Sequence, residues 1–201
     1  MQLDDLIPKQ IDGKQTDIEE SHDFETEQQA QDFYELAKSR LLDISNWHSI
    51  SKIEASAFCL IDQQNNPVDR LPMVDDFIRI DVPGLGNQAG QGFDWVRIEH
   101  LEEYIEEDQQ EAIFIMRARP CKAPSTTEDE TTHFFKSEAT SNFVIRKKNL
   151  QVSAEVHGRN ELANTESSHL IDKARNLAVA TGSFLGFSVV QWNLLVKGIM
   201  S

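Results

Sequence analysis

The stretch Asn142-Phe-Val-Ile-Arg-Lys-Lys-Asn-Leu-Gln-Val-Ser-Ala-Glu-Val-His157 decides the fold. It carries a two-residue period on both sides of a polar turn. A long strand from about 132 to 146 enters the turn Arg146-Lys-Lys-Asn149, and residues 150–157 leave it. In the second arm Leu150, Val152, Ala154 and Val156 point one way, and Gln151, Ser153, Glu155 and His157 the other, as alternate side chains of a strand must. The link is too short for a crossover, so the arms pair antiparallel.

The same period recurs upstream. Strands are expected at about 54–62 (Ala55, Ala57, Cys59 and Ile61 against Phe58 and Leu60), 76–82, 93–100 and 111–119. With the two arms this makes six strands in a meander. The turn cluster Gln63-Gln-Asn-Asn-Pro67 separates the first two. Before them the period is helical. Thr26 with Gln29 matches a capping box, and Ala30, Phe33, Leu36, Ala37, Leu41 and Ile44 form one apolar face. The chain ends in a long helix that Asn164 or Thr165 can cap, with Leu170, Ala174, Leu177, Ala178, Thr181, Leu185, Ser188, Trp192, Leu195 and Ile199 in one stripe. From about 184 to 196 it is apolar nearly all round, as in a helix buried on both sides or crossing a membrane. Residues 176–196 carry no charge and include the GxxxG of Gly182–Gly186, but Asn176, Gln191 and Asn193 within that window speak against lipid. A helix packed on the sheet is the expectation, with a homodimer seam as the second use of its apolar surface. The class is α+β: an N-terminal helix, a six-stranded antiparallel meander, and a long C-terminal helix across a curved sheet.

The 201 residues suit one domain, read here as a polar acidic arm over 1–23 and a single α+β domain over 24–201. The arm reads as mobile or as a weakly attached strand. The net charge of −15 divides as −9 over residues 1–35, −9 over 36–130 and +3 over 131–201. An acidic chain lacks the basic footprint of a nucleic-acid binder and is repelled by anionic lipid. The opening Met1–Lys9 has neither the basic nor the apolar region of a secretory leader, and the two cysteines, Cys59 and Cys121, sit in no CxxC or Cys/His cluster. A reduced, cytoplasmic setting without metal or cofactor is the expectation.

Three motifs invite chemistry and each has a plainer explanation. Gly84-x-Gly86-x-x-Ala89 matches a relaxed dinucleotide fingerprint, but Phe93-Asp-Trp-Val-Arg-Ile98 after it is strand-like, where the fingerprint needs a helix. A loop, or a gate over a cavity mouth, fits better. Glu99–Asp108 packs six acids into ten positions, and one helical turn would join His100 to Glu103; a solvated acidic face explains it. His157 shares a strand face with Glu155, an acid/base pair in form; an exposed, ordinary histidine explains it.

The helix ending Leu41-Leu-Asp-Ile-Ser-Asn-Trp47, the meander and the small-residue-rich last helix together resemble, in element order, the helix-grip fold of the START and Bet v 1-like (SRPBCC) superfamily over about residues 24–200. That fold implies a strand ahead of the first helix. Without one in Gln15–Phe24, a cystatin-like cone with an extra C-terminal helix is the alternative. The resemblance implies an apolar or amphipathic small molecule held between sheet and helix. By alternation the cavity candidates are Ile78, Ile80, Trp95, Ile113, Ile115, Phe143, Phe184, Leu185 and Trp192, with Arg79, Arg97, Arg117, His157, Gly84 and Gly86 as polar or gate candidates; a filled core is the competing reading. Three functions follow: a noncatalytic ligand-binding domain, a protein-interaction module using the last helix and the acidic arm, or a cyclase- or hydratase-type enzyme using His157 or Arg117.

Overall fold

A computed structural model describes residues 2–52, 57–81, 92–106, 108, 110–124, 126, 131–164 and 184–201. The capping box forms as the sequence predicts: Thr26 accepts from the Gln29 amide, the Gln29 side chain reaches back, and helix α2 runs Glu27–Leu42 behind the short α1 at Leu3–Leu6. Its buried stripe is Ala30, Tyr34, Ala37 and Leu41, while Leu36 is exposed. The apolar face is thus turned about one residue from the expected one, because Tyr34 buries its ring and sends its hydroxyl to Glu103 at 2.7 Å. A single 3-10 turn at Ile44–Asn46 leads into α3, Trp47–Ile50.

Of the two readings of residues 1–23, a mobile arm or an attached strand, Lys14–Asp23 takes the second as strand β1. It pairs antiparallel with the last strand from Lys14↔Glu161 to Asp23↔Gln151. Its sequence hides this because only Ile18 buries an apolar side chain. Strands β2 (Ala57–Ile61), β3 (Phe77–Asp81), β4 (Asp94–Glu106), β5 (Glu111–Pro120), β6 (Thr140–Lys148) and β7 (Gln151–Glu161) complete one antiparallel sheet of order β1-β7-β6-β5-β4-β3-β2. The expected six-strand meander is present, and β1 makes seven. The strand expected from 132 begins only at Thr140. The acidic run is strand rather than helix: Glu99–Glu106 continues β4.

A register shift in β4 between Ile98 and His100 reverses which residues face inward. Before it Val96 and Ile98 enter the core; after it Leu101 packs against the core and Glu103 meets Tyr34 and Lys38 of α2.

The last helix, α4, is described over Phe184–Ile199, and its expected start and the upper part of its stripe lie outside the described residues. Trp192, Leu195, Val196 and Ile199 bury against the inner face of the sheet together with α2, α3 and alternate residues of β2–β7. That arrangement, with β1 present, is the helix-grip architecture, and the cystatin-like alternative falls away. Among the described residues no helix is long and apolar enough to cross a membrane.

The end of α4 is held closely. Arg40 of α2 donates to the Ile199 carbonyl at 2.6 Å, and His22 of β1 donates through Nε2 to that of Met200 at 3.0 Å. Gly198 lies so near α3 that a Cβ there would overlap the Ile50 carbonyl. Replacing Gly198→Ala is expected to lower unfolding stability by about 1–3 kcal/mol, since neither backbone can give way cheaply. Urea denaturation would show it as a lower midpoint at unchanged slope.

Candidate functional site

The inner face carries a seam between sheet and α4. Four aromatic rings from four elements meet there. Trp47 lies 5.3 Å from Phe58, 5.1 Å from Phe143 and 6.4 Å from Trp192, and Phe143 and Trp192 stand edge to face at 5.1 Å. The Trp47 indole is fixed by its N–H bond to the Leu41 carbonyl, 2.9 Å. Ile78, Ile80 and Val96 extend the apolar wall. Polar groups border it: Ser188 and Gln191 of α4, Thr140, His133 and Glu161. The His133 ring accepts the Phe135 amide at Nδ1, 3.0 Å, and burial pushes its pKa down to about 3, so it is neutral. The buried Ser188 hydroxyl has no hydrogen-bond partner among the described residues.

The space enclosed is about 30 Å³. That is room for roughly one water, far below the ~300–1,000 Å³ of a drug-sized ligand site. Among the described residues the filled core therefore prevails over the open cavity that the resemblance implies; the four rings occupy the volume.

Of the cavity candidates, Ile78, Ile80, Phe143 and Trp192 line the seam. Trp95, Ile113 and Ile115 lie on the outer face. Trp95 packs with Ile61 and Ala123, and Ile113 and Ile115 pack with Val144 and with Leu3 and Leu6 of α1. The inward residues of β5 are Ala112, Phe114, Met116 and Ala118. This correction has a clear cause: residues 111–116 of β5 are all buried, so alternation alone cannot tell its faces apart. Trp47, Phe58 and the tract His133–Phe135 went unnoticed as site residues. The helix-terminal position of Trp47 could have flagged it, but nothing local places it against Trp192. The side chains of Phe184 and Leu185, and Gly84 and Gly86 altogether, lie outside the described residues.

The polar candidates also belong to the outer face. Arg79 lies 4.5 Å over the Phe93 ring. Arg117 donates to Asn142 at 2.8 Å and to the Leu6 carbonyl, tying the N-terminal segment down. His157 sits between two carboxylates, with Nδ1 2.6 Å from Asp17 and Nε2 2.8 Å from Glu155. Ser153 donates to Glu155 at 2.7 Å, and Arg159 reaches Asp17 at 2.8 Å. With a carboxylate on each ring nitrogen, both must donate, which is the imidazolium form. Burial opposes that charge, yet the two carboxylates outweigh it and raise the His157 pKa. Burial opposes the Asp17 charge too, but hydrogen bonds from Gln15, His157 and Arg159 hold that carboxyl at about 2. Because the carboxylate of Glu155 lies between serine and histidine, the serine is not activated as a nucleophile. His157 and Arg117 therefore do not supply the seam with acid/base groups. His100 does not join Glu103 as the HxxE spacing suggested; it approaches Glu102 at 3.5 Å, and among the described residues no cluster of three possible metal ligands occurs.

Asp94 is the remaining oddity. It lies on the inner face beside Ile80, with its Oδ1 buried and without a partner among the described residues, and burial pushes its pKa up to about 7.

No family model matches the sequence, and no curated protein matches it. Solved structures do. Ginseng major latex-like protein 151 from Panax ginseng is 12% identical, with 84% of this chain and 98% of that one covered at a TM-score of 0.32. A Staphylococcus epidermidis protein is 11% identical, with 94% and 92% covered at 0.34. Ara h 8.0201 is 9% identical, with 90% and 99% covered at 0.32. Similarities at that level add nothing to the reading of the site.

Two pH effects follow. Stabilisation from charged His157 is fully present below its unfolded value of about 6.5 and is lost as pH rises through its raised folded value; that from Asp17 is present above about 3.8 and lost as pH falls toward about 2. This cluster therefore stabilises most between those limits, and His157→Gln is expected to remove its alkaline decline. Asp94 acts differently: a raised carboxyl pKa costs stability increasingly from about pH 3.8 to about 7. Asp94→Asn should be more stable than the parent above pH 7 and converge with it in acid. Thermal melts of both variants across pH separate the two contributions.

Proposed function

We propose that this is a noncatalytic helix-grip domain that binds one small apolar or amphipathic molecule in the seam between sheet and α4. The observation that carries the reading is the Ser188 hydroxyl, without a partner among the described residues and set into a wall otherwise made largely of aromatic and aliphatic side chains. A buried hydroxyl without a partner costs about 1–3 kcal/mol, which a ligand's polar group would offset while its apolar body displaces the Trp192 ring. The size of the enclosed space demands that displacement, so binding should be modest in the parent and stronger when the ring is cut away.

A second reading rests on a separate observation. Val190 and Leu194, one helical turn apart on α4, are exposed at 58% and 38%. They suit an interaction module that meets a second copy or another protein, and Leu194→Asp would weaken that contact. The enzyme reading gains no support, since the residues named for it lie away from the seam.

Native mass spectrometry before and after organic extraction, on the parent and on Trp192→Ala, tests the leading proposal. A co-purifying small mass that extraction removes, and that the variant retains more strongly, is the expected result. Absence of any such mass in both proteins overturns it. Trp192→Ala should also lower stability by about 3–5 kcal/mol, as expected for a buried aromatic truncation.

A further inference from the structure

A second concavity lies under the N-terminal half of α2, where β4, β5 and β6 run past the helix. The register sets Ile105, Ala112 and Lys147 side by side on the inner face of the sheet. With Glu27, Tyr34 and Glu35 of α2, Glu103 of β4 and Glu111 of β5 they surround a groove of about 220 Å³. Among the described residues it shares no lining residue with the seam. The volume is below the ~300–1,000 Å³ of drug-sized sites and suits a smaller molecule.

Lys147 is the unusual member of the wall. Only 8% of the residue is exposed, yet its side chain makes no hydrogen bond or ion pair among the described residues. Lysines this deeply set are almost always paired, because an ammonium taken out of water without an acceptor is costly. The acids nearest the groove are engaged elsewhere. Glu111 accepts from Arg146 at 2.6 Å. Glu103 accepts from the Tyr34 hydroxyl at 2.7 Å and from Lys38 at 2.9 Å, and Glu35 lies 2.7 Å from the same Lys38. Lys38 thus answers two carboxylates with one charge. Glu27, at the exposed start of α2, makes no ion pair among the described residues. The groove therefore offers an unanswered ammonium deep in its wall and unanswered carboxylate charge along α2. A simple cation would leave Lys147 without a partner, and a simple anion would meet the acids. A molecule carrying both charges suits both. Ile105, 67% exposed, adds an apolar patch beside them.

We propose that this groove binds a free aliphatic α-amino acid. Its carboxylate accepts from Lys147, its ammonium lies against Glu27 and the surplus charge of Glu35 and Glu103, and its side chain rests on Ile105. The site does not depend on a ligand in the seam.

NMR titration of the isotope-labelled full chain with leucine, isoamylamine and isocaproate tests this. The amine lacks leucine's carboxylate and the acid lacks its ammonium, while both keep the side chain. Leucine should bind at least about tenfold more tightly than either, since each analogue forfeits a charge-assisted hydrogen bond. Its binding should shift the amides of Ile105, Ala112 and Lys147. Lys147→Met keeps the buried stem and should bring leucine down to the affinity of the amine without lowering the melting temperature. Glu27→Gln, at an exposed position, should weaken leucine and not isocaproate. Lys148→Met removes the same charge from an exposed residue on the opposite face of β6 and should leave leucine binding unchanged. Equal affinity for the three compounds, unaltered leucine binding in Lys147→Met or Glu27→Gln, an equal loss in Lys148→Met, or no shift at millimolar leucine would each overturn the proposal.

Discussion

The final carbonyl groups of α4 have no partners within the helix and must find them elsewhere. Arg40 and His22 provide them from α2 and β1, elements near the opposite end of the chain. The absence of a side chain at Gly198 lets α4 come down on the α3 backbone at Ile50. Everything on the inner face depends on that anchor. It sets the height of the helix above the sheet, and so brings Trp192 onto Trp47 and Phe143. The same aromatic contacts that stabilise the core also fill the place where a ligand would sit.

The outer face is organised by charge. β1 looks like a solvated acidic arm, yet it is an edge strand because Asp17 meets His157 and Arg159 on β7. Part of the acidic excess of the first 35 residues is thus matched to the mildly basic last third of the chain. Farther along the sheet, α1 covers Ile113 and Ile115, and Arg117 holds it by the Leu6 carbonyl. The N-terminal segment is therefore a lining for a second apolar surface.

Much of the fold was legible. The capping box, the hairpin at Asn149, the meander strands apart from the late start of β6, and the described part of the final helix follow from local periodicity and turn chemistry. The site was legible only in part. Ile78 and Ile80 follow from alternation because β3 has one apolar side, whereas Phe143 and Trp192 stand on elements apolar on more than one side and reach the seam through packing. Trp95, Ile113 and Ile115 were assigned to the wrong side because their strands bury both faces. The shift at Glu99 also reverses the phase of β4 midway, which no count of alternating residues reveals.

What the sequence by itself determined is the set of elements and their order, since caps, turns and side-chain period act over a few residues. What only the tertiary structure decided is which face each strand turns inward, whether residues 14–23 join the sheet, and how little space remains under α4. Those outcomes depend on contacts between residues more than a hundred positions apart, such as Asp17 with His157 and Arg40 with Ile199. No local pattern encodes them, because their free energy appears only when the distant partner is in place.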